Sequence, residues 1–280
     1  MMRLVCLVSI LVSAAISVGA DSPQILISTK VAEQTVRELH AKMRQLDESR
    51  GAEALDAAKK QQELYFSQLR TIVDQFGVDQ LNAEPRLGRD QLRDQMKQVL
   101  GPSSGASEEP PHVYRNPSSW LANESGPVLW AIVCREFAYL GYGGSRVVLD
   151  AYVVDGGVGR LTGQGGTEMS GHGLSVYELK NPAAHSISLL IQGILEWSSG
   201  HELPARAVLY RADPNGIQTM WNSGMLPGLH ASVTQDQTGF LVQYHDEARH
   251  QADYADPHTT VIDTYAVDTA GLHRVSSERP

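Results

Sequence analysis

Residues 148–155 read VLDAYVVD, and residues 261–268 read VIDTYAVD. Five of the eight positions are identical; Leu149 becomes Ile262, Ala151 becomes Thr264 and Val153 becomes Ala266. A weaker echo, Ala207-Val208-Leu209-Tyr210-Arg211-Ala212-Asp213, lies between them. All three are rich in β-branched and aromatic residues and end on an Asp where a turn begins, so each reads as a strand leading into a hairpin. In such a strand Leu149, Ala151 and Val153 share one face, and Val148, Asp150, Tyr152 and Val154 share the other. Asp150 and Asp263 sit mid-strand, where Asp is disfavoured. They either face solvent or accept a hydrogen bond from a neighbouring strand or turn, a structural role shared by the repeats.

The surroundings repeat too. After each Asp comes a further strand: Gly159 to Leu161, Ile217 to Trp221 and Leu272 to Val275. Before each lies an apolar one: Val128 to Val133, Ile187 to Leu195 and Phe240 to Tyr244. Gly173 to Leu179 and Leu229 to Val233 then close the first two units, leaving the third a strand short. A unit of four antiparallel strands in roughly 50–60 residues falls in the range of propeller blades and similar arrays. His112-Val113-Tyr114-Arg115 stands unassigned before the first unit, and pairing it near Leu272 to Val275 would close the sheet against an open edge.

Residues 29–100 have another texture. Val36, Leu39, Met43 and Leu46, then Gln62, Phe66, Leu69, Val73 and Phe76, follow a three-four rhythm among good helix formers. Gly51 and Gly77 read as helix stops, and a third helix is expected from Arg89 to Leu100. The stripe packs within the helical hairpin or onto the β half; the competing reading makes residues 29–76 a coiled-coil face for homo-oligomerisation. Between the halves, GPSSGASEEPP (101–111) reads as a linker.

The predicted fold is therefore α+β by segregation: a helical module at 21–100 and a β domain at 112–280 of about three four-stranded antiparallel repeats, propeller-like or closed as a sheet or sandwich. Residues 1–20 read as a signal peptide, with Arg3, an apolar run from Leu4 to Val18 and the small-residue end Val18-Gly19-Ala20; an uncleaved anchor is the alternative. No later stretch is apolar enough to span a bilayer. The chain is thus expected to be exported, periplasmic or extracellular. Of the two cysteines, Cys6 leaves with the signal, and Cys134 reads as a small buried residue in a strand.

The formal charge is −9, and residues 101–280 hold a single lysine, Lys180. That composition does not suit nucleic acid or anionic lipid as a partner. No Gly-x-Ser-x-Gly elbow, phosphate loop or His-Glu-x-x-His helix occurs. The densest polar stretch is YHDEARHQADYADPH (244–258), with His245, Asp246, His250, Asp253 and His258 as the imidazole and carboxylate groups that would suit a divalent zinc, iron or manganese ion. Its spacing matches no motif, so a solvated loop is the plainer reading, and no cofactor is otherwise indicated. Trp197 and Trp221 at strand ends, with His172 between two glycines, are the candidates for binding a protein or glycan. The leading functional expectation is an exported, non-enzymatic binding or envelope-associated protein. The alternatives are a metal-assisted hydrolase using 245–258 and an oligomerising structural protein.

Overall fold

The computed structural model describes residues 28–48, 55–84, 87–100, 111–115, 127–137, 145–166, 170–180, 186–194, 204–246, 259–268 and 271–280. Three helices come first: α1 (Thr29–Glu48), α2 (Leu55–Ala83) and α3 (Arg89–Leu100). Ser28 caps α1 by accepting the Val31 N–H at 3.4 Å. At the start of α3 the Gly88 N–H donates to Gln91 Oε1 at 2.8 Å, the reciprocal half of a capping box.

Three four-stranded antiparallel sheets follow. The first holds β1 (His112–Arg115), β2 (Val128–Phe137), β3 (Ser145–Asp155) and β4 (Val158–Gly165). The second holds β5 (Ser170–Leu179), β6 (Ile187–Ile194), β7 (Pro204–Asp213) and β8 (Gly216–Asn222), with the two-residue β9 (Leu226–Pro227) beside β7. The third holds β10 (His230–Val233), β11 (Gly239–His245), β12 (Thr260–Asp268) and β13 (Gly271–Glu278). A ladder of two residue pairs between β3 and β5 joins the first sheet to the second at one corner.

The repeat holds residue by residue. One cross-strand row reads Val113–Ile132–Asp150–Gln164 in the first sheet. It reads Val176–Ile191–Val208–Asn222 in the second and Ala231–Val242–Asp263–Ser277 in the third. Each final hairpin shifts register at one equivalent place: between Ala151 and Tyr152, Leu209 and Tyr210, and Thr264 and Tyr265. The extra residue, Thr162, Met220 or Val275, lies on the outer strand, where a bulge bends and blunts an exposed edge. Turns differ more than strands. Gly156 and Gly157 take left-handed φ values of 57° and 82° in the first hairpin, as a type I′ turn demands. Asp213 Oδ1 accepts the Asn215 N–H at 2.7 Å, and Asp268 Oδ1 accepts the Gly271 N–H at 3.1 Å, as expected of turn-starting aspartates.

These pairings correct the phase of the repeat. The short strand opens each unit and does not close the one before it: β5 pairs along its length with β6, and β10 with β11. The third unit is therefore complete. Nor does His112–Arg115 reach the C-terminal strand, because Val113 pairs with Ile132, and β13 pairs only with β12 among the described residues. No closed barrel or ring forms among the described residues. A leading strand of four residues carries too little pattern to show from sequence which neighbour it joins.

The layers stack by strand periodicity. Leu129, Ala131, Val133, Leu149, Ala151 and Val153 on one face of the first sheet bury against Ile187, Leu189, Ile191, Val208 and Tyr210 of the second. The other face of the second sheet, with Leu190, Ala207 and Leu209, buries against Ala231, Phe240 and Val242 of the third. The remaining face of the first sheet, with Trp130, Ile132, Cys134, Tyr152 and Val154, is covered by the helical stripes of Val36, Leu39 and Met43, of Phe66, Leu69, Val73 and Phe76, and of Leu92, Met96 and Val99. The helices thus stand where a preceding sheet would. The stripe in 29–76 is spent inside the chain, so any assembly through those helices would use their other faces.

Gly77 does not end a helix; it lies within α2. A Cβ there would sit 2.9 Å from the Tyr152 ring, so the glycine lets helix and sheet approach. Gly77→Ala should lower the melting temperature even though alanine favours a helix by about 1 kcal/mol. An unchanged or higher value in a thermal melt would show that the ring steps aside freely.

Candidate functional site

Two features meet where the helices join the first sheet. The first is an open cleft of about 260 Å³ lined by Arg89, Arg93, Pro111, His112, Val113 and Tyr114. Val113 belongs to the core under the helices and Tyr114 to the core between the first two sheets, so consecutive residues point to opposite faces. A cleft touching all of them runs along the edge of β1. That edge is the outer one, since β1 has only β2 as a strand partner among the described residues.

Arginines form the opposite wall. Arg89 and Arg93 are one turn apart on α3, on the side that faces β1. Arg93 Nη1 pairs with Asp90 at 2.9 Å and Nη2 with Asp94 at 3.3 Å, surface contacts that orient the guanidinium more than they stabilise it. Tyr114 is pushed up to about 12 by burial and then by the charge of Glu178, with Arg89 acting the other way. It is therefore a neutral phenol and a hydrogen-bond donor at any physiological pH. At the end of β1, the Arg115 guanidinium lies over the Trp130 ring, 5.1 Å from its centre.

The second feature is buried. Arg70 on α2 reaches into the first sheet, its Nη2 donating to Asp150 Oδ1 at 3.0 Å. The Asp150 side chain is only 1% exposed. Asp74, one turn further along α2, lies within hydrogen-bonding reach of Asp150 and accepts a hydrogen bond from the Gln164 side-chain amide. Burial raises the Asp150 carboxyl above its ordinary 3.8, against the pull of Arg70. Tyr152 is fully buried beside it and is also held well above its usual value, first by burial and then by the charges of Asp150 and Asp74. The equivalent Asp263 of the third sheet is met from its own sheet: Tyr244 Oη donates to Oδ2 at 3.4 Å, and Arg274 Nη1 lies 3.7 Å away. The second sheet has Val208 at this position and needs no partner. Asp263 accepts its hydrogen bond from the neighbouring strand, as expected, whereas Asp150 is met by Arg70 from a helix, which is neither of the expected sources.

The residues singled out from sequence scatter. Trp221 packs between the second and third sheets, 5.1 Å from both Phe240 and Tyr265, which stack on each other at 4.9 Å. His172 lies in β5, and Trp197 falls outside the described residues. His245 ends β11, and the Asp246 N–H donates to the Thr259 carbonyl at 3.3 Å. His250, Asp253 and His258 lie outside the described residues, among which no three His, Cys, Asp or Glu side chains gather as a metal set. No helix among the described residues is long and apolar enough to cross a membrane. Sequence reasoning passed over Arg89, Arg93, His112 and Tyr114. Their one signal was an Arg pair at helical spacing beside the linker in an acidic chain. Comparison with known protein families, with characterised proteins and with solved structures gives no match.

Proposed function

We propose that this chain is an exported, non-catalytic binding protein whose stacked sheets serve as a scaffold and whose β1 edge takes an extended acidic segment of a partner protein. The carrying observation is the cleft itself: a strand edge with no further strand beside it among the described residues faces two arginines across about 260 Å³. A strand added to such an edge gains main-chain hydrogen bonds, and charged groups alongside set which side chains are accepted. Carboxylates fit because the arginine fork matches their geometry, and the Tyr114 phenol adds a donor. The blade-like stacking supports a scaffold role, since arrays of this kind present a rigid surface while their cores carry the stability.

Calorimetric titration of the chain with a short extended peptide alternating Glu and Val, against its Lys and Val counterpart, tests the reading. The acidic peptide should bind, more weakly as salt rises, and the double variant Arg89→Glu, Arg93→Glu should lose affinity at least about tenfold. Equal binding of both peptides, or undiminished binding by the variant, would overturn it.

A further inference from the structure

The hairpin turns fix which backbone groups of each sheet point outward. A two-residue turn such as Gly156-Gly157 pairs the backbone groups of the residues that flank it, so those of Asp155 face β4. Along an antiparallel strand these groups alternate between its two neighbours, so those of Asp150 face β2 and those of Ile132, opposite it, face β3. Val113 lies on the other side of Ile132, and its N–H and C=O therefore point away from β2 at the cleft. The Pro111 carbonyl, two residues earlier, points the same way. The third sheet shows what such an edge takes. There the Val267 N–H donates to the Thr238 carbonyl at 2.9 Å, which sets the same alternation, and Ala231 stands where Val113 stands in the first. The Ala231 N–H donates to Gln192 Oε1 at 2.7 Å, and Gln192 Nε2 donates to the Leu229 carbonyl at 3.2 Å. One side-chain amide from the preceding sheet thus spans the two groups. Their counterparts in the first sheet, the Pro111 carbonyl and the Val113 N–H, have no such bridge among the described residues. In the second unit Val133 takes the place of Gln192 on the layer before, and β5 is held to β3 through Ser170 and Gly171.

We propose that the Pro111 carbonyl and the Val113 N–H are the anchoring pair of the cleft, and that they take one amide group of the bound segment as the third sheet takes the Gln192 amide. This anchor rests on the cleft being the site of an extended acidic segment, and it fixes where that segment is held. The amide donates an N–H to the Pro111 carbonyl and accepts the Val113 N–H, while carboxylates beside it meet Arg89 and Arg93. Proline suits position 111, because it offers a carbonyl and has no N–H to leave unpaired at the edge. The amide comes from the segment's main chain or from an Asn or Gln side chain, since both present the same donor and acceptor.

Hydrogen exchange and NMR shifts of the Val113 amide test the anchor. In the free chain this amide should exchange fast, and those of His112 and Tyr114, which face β2, slowly. The peptide alternating Glu and Val should slow Val113 exchange and move its resonance. Val113→Pro removes the outward N–H without touching the ladder to β2, and should weaken that peptide at least about tenfold. A central Gln that binds at least about tenfold tighter than a central Met assigns the amide to a side chain, and equal affinity assigns it to the main chain. A capped neutral peptide alternating Thr and Val should move the same resonance at higher concentration. That shift without any preference for acid would overturn the acidic reading and keep the anchor. A Val113 resonance unmoved by every peptide, or equal binding by Val113→Pro, would overturn the anchor; if the acidic peptide still bound through the arginines, the acidic reading would stand. Should Val113→Pro not fold, exchange and shift in the unaltered chain decide.

Discussion

Arg70→Ala should cost the chain about 3–5 kcal/mol, read as a drop in the midpoint of urea unfolding at constant slope. The side chain is 17% exposed and its partner 1%, so little water reaches either group. Removing the guanidinium takes away the hydrogen bond and the charge that face the buried Asp150 carboxylate beside the Trp130 and Tyr152 core. The loss should shrink in mild acid, where Asp150, its carboxyl raised by burial, regains its proton. Replacing both ends of the pair, Arg70→Met with Asp150→Leu, should recover most of the stability, because a well-packed apolar pair avoids the desolvation cost. A single-variant loss within the range of an exposed pair, under about 1 kcal/mol, would mean that water reaches the cluster.

Gly163→Val should be comparably severe, about 3 kcal/mol or more. Gly163 lies on β4, close against the backbone of β8 in the second sheet. A Cβ there would stand 2.6 Å from the Ile217 N and 2.9 Å from the Gly216 Cα. Both are backbone atoms at the start of β8, so no rotamer change can relieve the clash. The neighbouring Gly165 faces the Ile217 and Tyr210 side chains instead, at 3.2 Å and 3.7 Å, and Gly165→Ala should cost much less. The contrast separates a general dislike of side chains in β4 from the backbone contact that sets the distance between sheets. Equal losses at the two glycines in the same unfolding experiment would argue against close stacking.

Much of this fold is written in short patterns. The echo of VLDAYVVD in VIDTYAVD located two equivalent strands, and Ala207 to Asp213 the third, because all three carry β-branched and aromatic residues up to a turn-starting Asp. The helix expected from Arg89 to Leu100 is observed, and Leu92, Met96 and Val99 form its buried face. What escaped depends on contacts far apart in the chain. Gly77 reads as a helix stop until Tyr152, far along the sequence, is seen to need the space. Arg70 and Asp74 look like a surface pair one turn apart, and nothing local points to Asp150. The order of strands turned on β5 and β10, whose pairing with the strand after them depends on long-range contacts; β10, with four residues, also holds few side chains to favour one neighbour over another. The cleft escaped for a related reason: its two walls, Arg89 with Arg93 and Pro111 to Tyr114, are separated by a linker and meet only once the helices lie on the first sheet.

That the helices and the first sheet share one core is the claim on which the rest depends, and native-state hydrogen exchange tests it most directly. Amides of α2 from Phe66 to Phe76 should be protected together with those of β2 and β3, and opening of one should expose the other. The second sheet, covered on both faces, should exchange slowest, and β13 at the end of the stack fastest. Rapid exchange throughout α2 while β2 and β3 stay protected would contradict the account, because the helices would then not be part of the layer stack.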